Sequence, residues 1–300
     1  MSMPVVREFM KRHLPSMSAL AALTAALDAH ASSTPLEPRV AARIDDLLRA
    51  MGAGDVLGGL SPEEARPLVA ELRLWFGLDG KLMQPKGRVP GWTHSEPELL
   101  QTVGDFAVMH AHGLTRDIAP QLEGLTARLA APDASFLDIG VGVAGTAIQM
   151  ARNWPNLRIV GIDPWQPSLA LARANVKQAG LADRIELREQ LAEDLPDEAA
   201  FDLAWMPIVF MPQGVIAAAC ARTLRALRPG GWVVLTPSGF PPDPVGAAQI
   251  RLRMTMFGGP ECTTGDVEQW LRGAGFADVR TLASPPASPV APVVGRRPTS

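Results

Sequence analysis

FLDIGVGVAGTAIQMA, Phe136 to Ala151, is the stretch whose reading decides the fold of this chain. Phe136 and Leu137 run into Asp138, Ile139 leads into a glycine turn, and a helical pattern begins at once. A buried strand that passes through such a turn into a helix presents its backbone to whatever lies at the strand's end. Gly140 and Gly142 lack a Cβ, so they accept unusual φ/ψ values and close contact. The donors at the start of the following helix add local positive potential. In many α/β proteins a glycine turn only reverses the chain, so its meaning depends on the residues downstream.

Downstream lies a second strand, Leu157 to Ile162 (LRIVGI), closed by Asp163. That acid stands about twenty residues beyond the turn, where a ribose-binding carboxylate is expected. An ionised carboxylate accepts from both ribose hydroxyls. The competing reading is that Asp163 merely caps the helix from Gln166 to Ala179. Further strands read as Arg184–Arg188, Phe201–Met206 and Trp232–Thr236. Helical patterns cover Ala217–Leu227, ended by Arg228 to Gly231, and Val267–Ala274, stopped by Gly275. Two closing strands, Phe276–Leu282 and Val290–Gly295, come last with no helix between them. Alternating strands and helices predict a parallel sheet covered on both faces, and the closing pair sets it apart from a dinucleotide-binding domain.

The pattern resembles the class I S-adenosylmethionine-dependent methyltransferases from roughly Gly124 to Arg297. The residues that carry the resemblance are AspIleGlyValGly at 138–142, Asp163 after the second strand, and LeuArgProGlyGly at 227–231 before the fifth. It implies an α/β, Rossmann-like sheet of seven strands, mostly parallel with an antiparallel last strand, joined to an N-terminal helical region. It implies S-adenosyl-L-methionine as cofactor. Asp138 would orient the loop and the methionine amine, while Gly140 and Gly142 let the backbone pass the ligand. Asp163 would hold the ribose hydroxyls and Pro164 would lie beside the adenine. Met206 and Pro207 would border the transferred methyl. Two positions depart from the family. Ala144 stands where a third glycine is frequent. Leu191 stands where an Asp commonly accepts from the adenine amino group, leaving Gln190, Glu193 or shape alone to hold the base.

The composition fits an enzyme with a sizeable core: 300 residues, 47% of them apolar, with a formal net charge of −3. No basic block marks a nucleic-acid surface. Cys220 and Cys262 suggest neither a disulfide framework nor a zinc site, and no metal is expected. No run reaches the length of a membrane span. Arg7, Lys11 and Arg12 before an Ala-rich stretch mimic a secretion signal. Thr24 inside that stretch, Pro15 and Asp28 fit ordinary helix punctuation better, so a cytoplasmic protein is expected.

Residues 1–122 read as a helical region for substrate recognition, lid formation and homodimerisation, and 123–300 as the cofactor-binding core. Helical patterns run over Met17–Ala29, Pro38–Met51 and Ser61–Gly77, the last opened by a capping Ser and a Pro. Asp79–Trp92 reads as a loop or lid, Glu96–Gly104 opens another helix, and Pro237–Pro244 is a second rim. All five histidines precede the glycine loop. His94, His110 and His112 are the candidate general bases, although His110 and His112, two apart on a helix, face different ways. Gln101, one turn into its helix, is placed to reach the cofactor's amino-acid end.

The resemblance implies in-line methyl transfer to an O, N or C nucleophile of a small molecule. TrpMetProIle at 205–208 lacks the AspProProTyr or AsnProProTyr character expected for base-amino or glutamine-amide methylation. Two alternatives keep the fold: cyclisation of the cofactor's aminobutyrate chain, and a non-catalytic cofactor-binding scaffold.

Overall fold

The computed structural model describes residues 3–55, 57–84, 89–283 and 291–299. The chain divides into two compact units, Met1–Gly80 and Lys81–Ser300. That boundary lies well before the 122/123 division read from the sequence, because the helix after residue 96 packs on the sheet unit's own helices.

The first unit holds α1 (Met3–Ser32), α2 (Pro38–Ala50) and α3 (Pro62–Lys81). α1 begins fourteen residues before the pattern at Met17 suggested and runs through Pro15. A proline inside a helix removes one hydrogen bond and crowds the carbonyl four residues earlier. Surrounding Ala, Leu and Met favour the helix. α3 opens on a capping box: Ser61 N and Oγ both donate to Glu64 Oε2, and Glu64 N donates to Ser61 Oγ at 3.3 Å. Leu27 and Ala31 of α1 meet Ala65 and Val69 of α3 in a small core. His30 Nε2 lies 2.7 Å from the Leu60 carbonyl, a satisfied structural histidine. From Met3 to Leu20, α1 leaves Met3, Val5, Val6, Phe9, Met10, Leu14, Met17 and Leu20 exposed.

The second unit is built on a seven-stranded sheet of order β3-β2-β1-β4-β5-β7-β6. Its strands are β1 (Ser135–Ile139), β2 (Arg158–Asp163), β3 (Ile185–Glu189), β4 (Phe201–Met206), β5 (Leu227–Leu235), β6 (Ala277–Thr281) and β7 (Val293–Arg296). The first five pair in parallel, and β7 runs antiparallel to both β5 and β6. The expected mostly parallel sheet with an antiparallel last strand is therefore present. Val290, the expected start of that strand, lies outside the described residues, as do 85–88 of the expected lid. Its helices are α4 (Pro97–Gly113), α5 (Leu125–Ala130), α6 (Gly145–Asn153), α7 (Gln166–Gln178), α8 (Gln213–Ala226), α9 (Pro244–Phe257) and α10 (Thr264–Ala274).

Alternation along the strands splits the core into two layers. Phe136, Leu203, Trp205 and Val234 pack with residues of α5, α6 and α7. Leu137, Ala204, Met206 and Val233 pack on the other face with α8 and α10. At the amino ends of the strands, buried Asp202 accepts from Ser135 N at 2.9 Å and Arg228 Nη1 at 2.8 Å, tying β1, β4 and β5 together. No helix among the described residues is long and apolar enough to cross a membrane.

Candidate cofactor crevice at the carboxyl ends of the strands

β1 and β2 are the two strands whose ends carry the acids. Asp138 is paired in register with Gly161, two residues before Asp163, and both carboxyls project to the α6 side of the sheet. The turn between β1 and α6 folds back onto β2: the amides of Gly140 and Val141 both donate to the Ile162 carbonyl, at 2.8 and 3.0 Å. Gly161 makes this possible, since a Cβ there would lie 2.6 Å from Val141 Cγ2. Gly140 and Gly142 have φ of +74° and +56°, the left-handed region that favours glycine. A Cβ on Gly142 would meet nothing within 4 Å, so the loop opens onto free space there.

Ala144 completes the turn with φ +70° and ψ +24°. The third glycine's conformation is thus adopted by an alanine, at a strain of about 1–2 kcal/mol, with its methyl fully buried in the core. The true close approach falls one residue later. A Cβ on Gly145 would lie 2.1 Å from the Gly104 carbonyl oxygen of α4, and one on Gly104 would lie 2.1 Å from Val143 Cγ2. Gly145→Ala is expected to destabilise the protein by about 2 kcal/mol through this backbone clash, read as a lowered urea midpoint at unchanged slope.

The two acids are held differently. Asp163 uses both oxygens: Oδ2 accepts from Gly142 N at 2.9 Å and Oδ1 from Trp165 N at 2.8 Å. Each oxygen keeps a further lone pair. Burial raises its pKa, and the two amide bonds oppose that rise. Asp163 does not act merely as a helix cap: besides holding the Trp165 amide before α7, it pins the glycine loop. Asp138 is almost wholly buried. The Ala147 amide hydrogen-bonds its carboxyl, but its Oδ2 has no partner among the described residues. Burial first, and the Asp163 charge second, push it up to about 8.

The other expected site residues spread around this crevice. Gln190 follows β3, with its amide donating to the Asp163 carbonyl at 3.3 Å and Nε2 to the Asp194 carbonyl at 3.1 Å. Leu191 is exposed beside it, and Pro164 sits between Asp163 and Trp165. Met206 is placed otherwise than expected. Its side chain is fully buried in the layer opposite Asp138, because neighbouring residues of a strand point to opposite faces. Pro207 is the residue beside the loop, with its Cγ 4.0 Å from where a Gly140 Cβ would stand. Gln101 Oε1 accepts from Asn175 Nδ2 at 3.0 Å and Gln101 Nε2 donates to Asp105.

Of the histidines, His110 packs on the strand residue beside Asp138. Its ring lies 5.2 Å from that of Trp205, the register partner of Asp138, and 5.6 Å from that of Phe106. Burial drives its imidazole down to about 4. His112, held down by burial and then by Arg116, occupies another face of α4. His94 is buried, lowered chiefly by desolvation, and 5.0 Å from the Trp92 ring.

Three positioning residues escaped the sequence reading. Asn175 Nδ2 donates to both Gln101 and the Val143 carbonyl, at 3.0 Å each, tying α7 to the loop and to α4. Thr146 Oγ1 donates to the Ala107 carbonyl at 3.0 Å. Trp165 Nε1 donates to the His94 carbonyl at 2.7 Å. An Asn in mid-helix, where its side chain competes with the backbone, and a Trp directly after AspPro were the available signals.

Residues 136–231 match the model of a methyltransferase domain family. Over 119 residues the chain is 33% identical to demethylmenaquinone methyltransferase of Thermus thermophilus, covering 40% of this chain and 53% of that one. The chain spans about half, or less, of the lengths of the curated relatives it matches. Among solved structures, human N-acetylserotonin methyltransferase in complex with SAM superposes with a TM-score of 0.62 at 15% identity, over 100% of this chain and 99% of that one. The apo S-adenosylmethionine-dependent methyltransferase SibL superposes at 0.56 with 21% identity, over 96% and 99%. The matched region spans the strands that carry Asp138 and Asp163, and the chain is similar there in sequence, and throughout in fold, to S-adenosylmethionine-dependent methyltransferases.

Proposed function

We propose that the protein transfers a methyl group from S-adenosyl-L-methionine to an O, N or C nucleophile of a small molecule. The observation that carries this reading is the pair of strand-end acids. Asp163 pins the glycine loop through one lone pair of each oxygen, and Asp138 beside it holds an oxygen without a partner among the described residues. The residues fit the cofactor: Asp163 would accept from the ribose hydroxyls, Gly140 and Gly142 would let the backbone pass, and Asp138 would orient the methionine amine. Pro164, Gln190 and Leu191 would border the adenine by shape. Gln101, steadied by Asn175, would face the amino-acid end.

When bound, the cofactor supplies a methyl already activated on a sulfonium. The chain's task is then to align a nucleophile and exclude water. Trp205, Pro207 and Phe106 make the surroundings apolar. His110, neutral at pH 7, is the candidate proton acceptor where the nucleophile carries a proton. A small acceptor is favoured over nucleic acid by the net charge of −3 and the lack of a basic block. A cytoplasmic site of action accords with an intracellular cofactor.

Calorimetry with S-adenosylmethionine and, separately, NAD tests the cofactor: binding of the first alone is expected. Turnover with an acceptor should release S-adenosylhomocysteine. Methylthioadenosine would instead indicate cyclisation of the aminobutyrate chain, and binding without turnover a scaffold.

We also propose that the helical unit forms a homodimer. Met3, Met10 and Met17 recur every seven residues, with Val6 and Leu20 between and beyond them, all exposed. This is the seam spacing of paired helices, with His13 as the one polar residue in the series, and a second copy supplies the matching seam. Light scattering is expected to give twice the 32.0 kDa chain mass, and Met10→Glu to give the monomer. A wild-type monomer would reject the dimer.

A further inference from the structure

The segment Val89–Glu96 links two places on opposite sides of the crevice. At one end the Gly91 amide donates to the Thr255 carbonyl of α9 at 3.1 Å. The Trp92 ring meets Phe210 at 5.0 Å and Phe257 at 5.9 Å, both edge-on. Phe210 follows β4, and Phe257 ends the helix that follows β5. At the other end the Trp165 indole donates to the His94 carbonyl, and Trp165 follows β2. The sheet order sets β1 and β4 between β2 and β5. A segment tied beyond β2 on one side and beyond β4 and β5 on the other therefore passes the end of β1, where the glycine loop begins.

Trp165 joins the strap to the acid at the end of β2. Its backbone amide holds Asp163 Oδ1, and its indole holds the strap. Within the strap Thr93 and Ser95 are exposed, whereas His94 is buried against Trp92 and Glu96 pairs with Lys81 Nζ at 2.7 Å. A pivot is available at each end: Gly91 has a φ of +92°, and the chain enters α4 at Pro97.

We propose that Trp165 is a positioning residue that latches the Val89–Glu96 strap over the carboxyl-end crevice, and that this latch must open for the nucleoside cofactor to exchange. The proposal rests on the reading of that crevice as an S-adenosylmethionine site. A segment held by few bonds opens locally far more often than the fold unfolds. Breaking the indole bond at one end raises the open population without touching the sheet.

Trp165→Phe tests this, since it keeps an aromatic ring and the backbone amide that holds Asp163 while removing the indole donor. In the ligand-free protein, hydrogen exchange of the Gly91 amide and its strap neighbours is expected to quicken about fivefold, the net effect of one hydrogen bond. Exchange in β1 and β4 should stay unchanged. Dissociation of S-adenosylmethionine, followed by chase with excess S-adenosylhomocysteine, should quicken by a similar factor. Trp92→Leu, which loosens the other end, should act in the same direction. Unchanged strap exchange in Trp165→Phe overturns the latch, as does a uniform rise through β1 and β4. Faster strap exchange with an unaltered dissociation rate overturns the gate. Failure of the wild-type chain to bind S-adenosylmethionine strikes the cofactor reading instead, while strap exchange still reports on the latch.

Discussion

Asp163→Ala is expected to weaken S-adenosylmethionine binding at least about 100-fold. A hydrogen bond to a charged group contributes about 1.5–3 kcal/mol, so two ribose hydroxyls left without their carboxylate lose about 3 kcal/mol or more, each 1.4 kcal/mol being tenfold. The same substitution strands two donors, Gly142 N and Trp165 N, that the carboxylate holds. The loop then loses one of its three ties to β2, the two amide bonds to the Ile162 carbonyl remaining, while the ligand loses its partner. Asp163→Asn separates these contributions. Its amide oxygen still accepts one backbone bond, but its NH2 faces the other donor. It should retain a folded protein with binding reduced nearly as far. Calorimetry at fixed salt reads both, and undiminished binding in Asp163→Ala would remove the ribose role altogether.

Asp138→Asn is expected to stabilise the ligand-free protein at alkaline pH while weakening its response to cofactor. In the native state the carboxyl keeps its proton until about pH 8, whereas an unfolded chain releases it near pH 4. Between these values the native state binds more protons than the unfolded one, so stability falls as pH rises from about 4 to about 8 and levels off above. Asparagine copies the protonated form: its oxygen can accept from the Ala147 amide, and no charge needs to be buried. The variant should lose this part of the pH slope and be the more stable of the two proteins at pH 8.5. Its melting temperature should rise there, and the further rise on adding S-adenosylmethionine should shrink. Urea titrations of both proteins at pH 5 and 8.5 measure the difference; parallel pH profiles would sink the assignment of the buried carboxyl.

The sheet and its acids were legible in the sequence because their signals are local. Apolar runs closed by Asp138 and Asp163, and a glycine turn at the right distance, depend on strand alternation and backbone sterics alone. α9 was missed because its apolar residues follow no single face, although Asp243 before Pro244 and Gly258 after Phe257 mark its ends. Pro15 misled for the opposite reason: a breaker was read as a boundary, and the surrounding helix formers overrode it. The side-chain direction of Met206 was settled by strand alternation, which could have been applied from Asp138 and Trp205 outward. Trp165 and Asn175 act through partners 71 and 74 residues away in sequence. Such pairings come into being only when α4 and the strap fold back on the loop, and no spacing in the chain announces them.

The backbone contact between Gly104 and Gly145 has a consequence for how this protein can change. With no side chains between them, α4 and α6 cannot slide past one another, so the angular phase of every residue on α4 is referred to the cofactor loop. Phe106 and His110 then stand at fixed offsets from Trp205, whatever side chains they carry. On the proposed reading of His110 as proton acceptor, acceptor preference becomes separable from cofactor geometry: the two positions can be rewritten by selection or by design as interchangeable inserts in a jig whose alignment is set elsewhere.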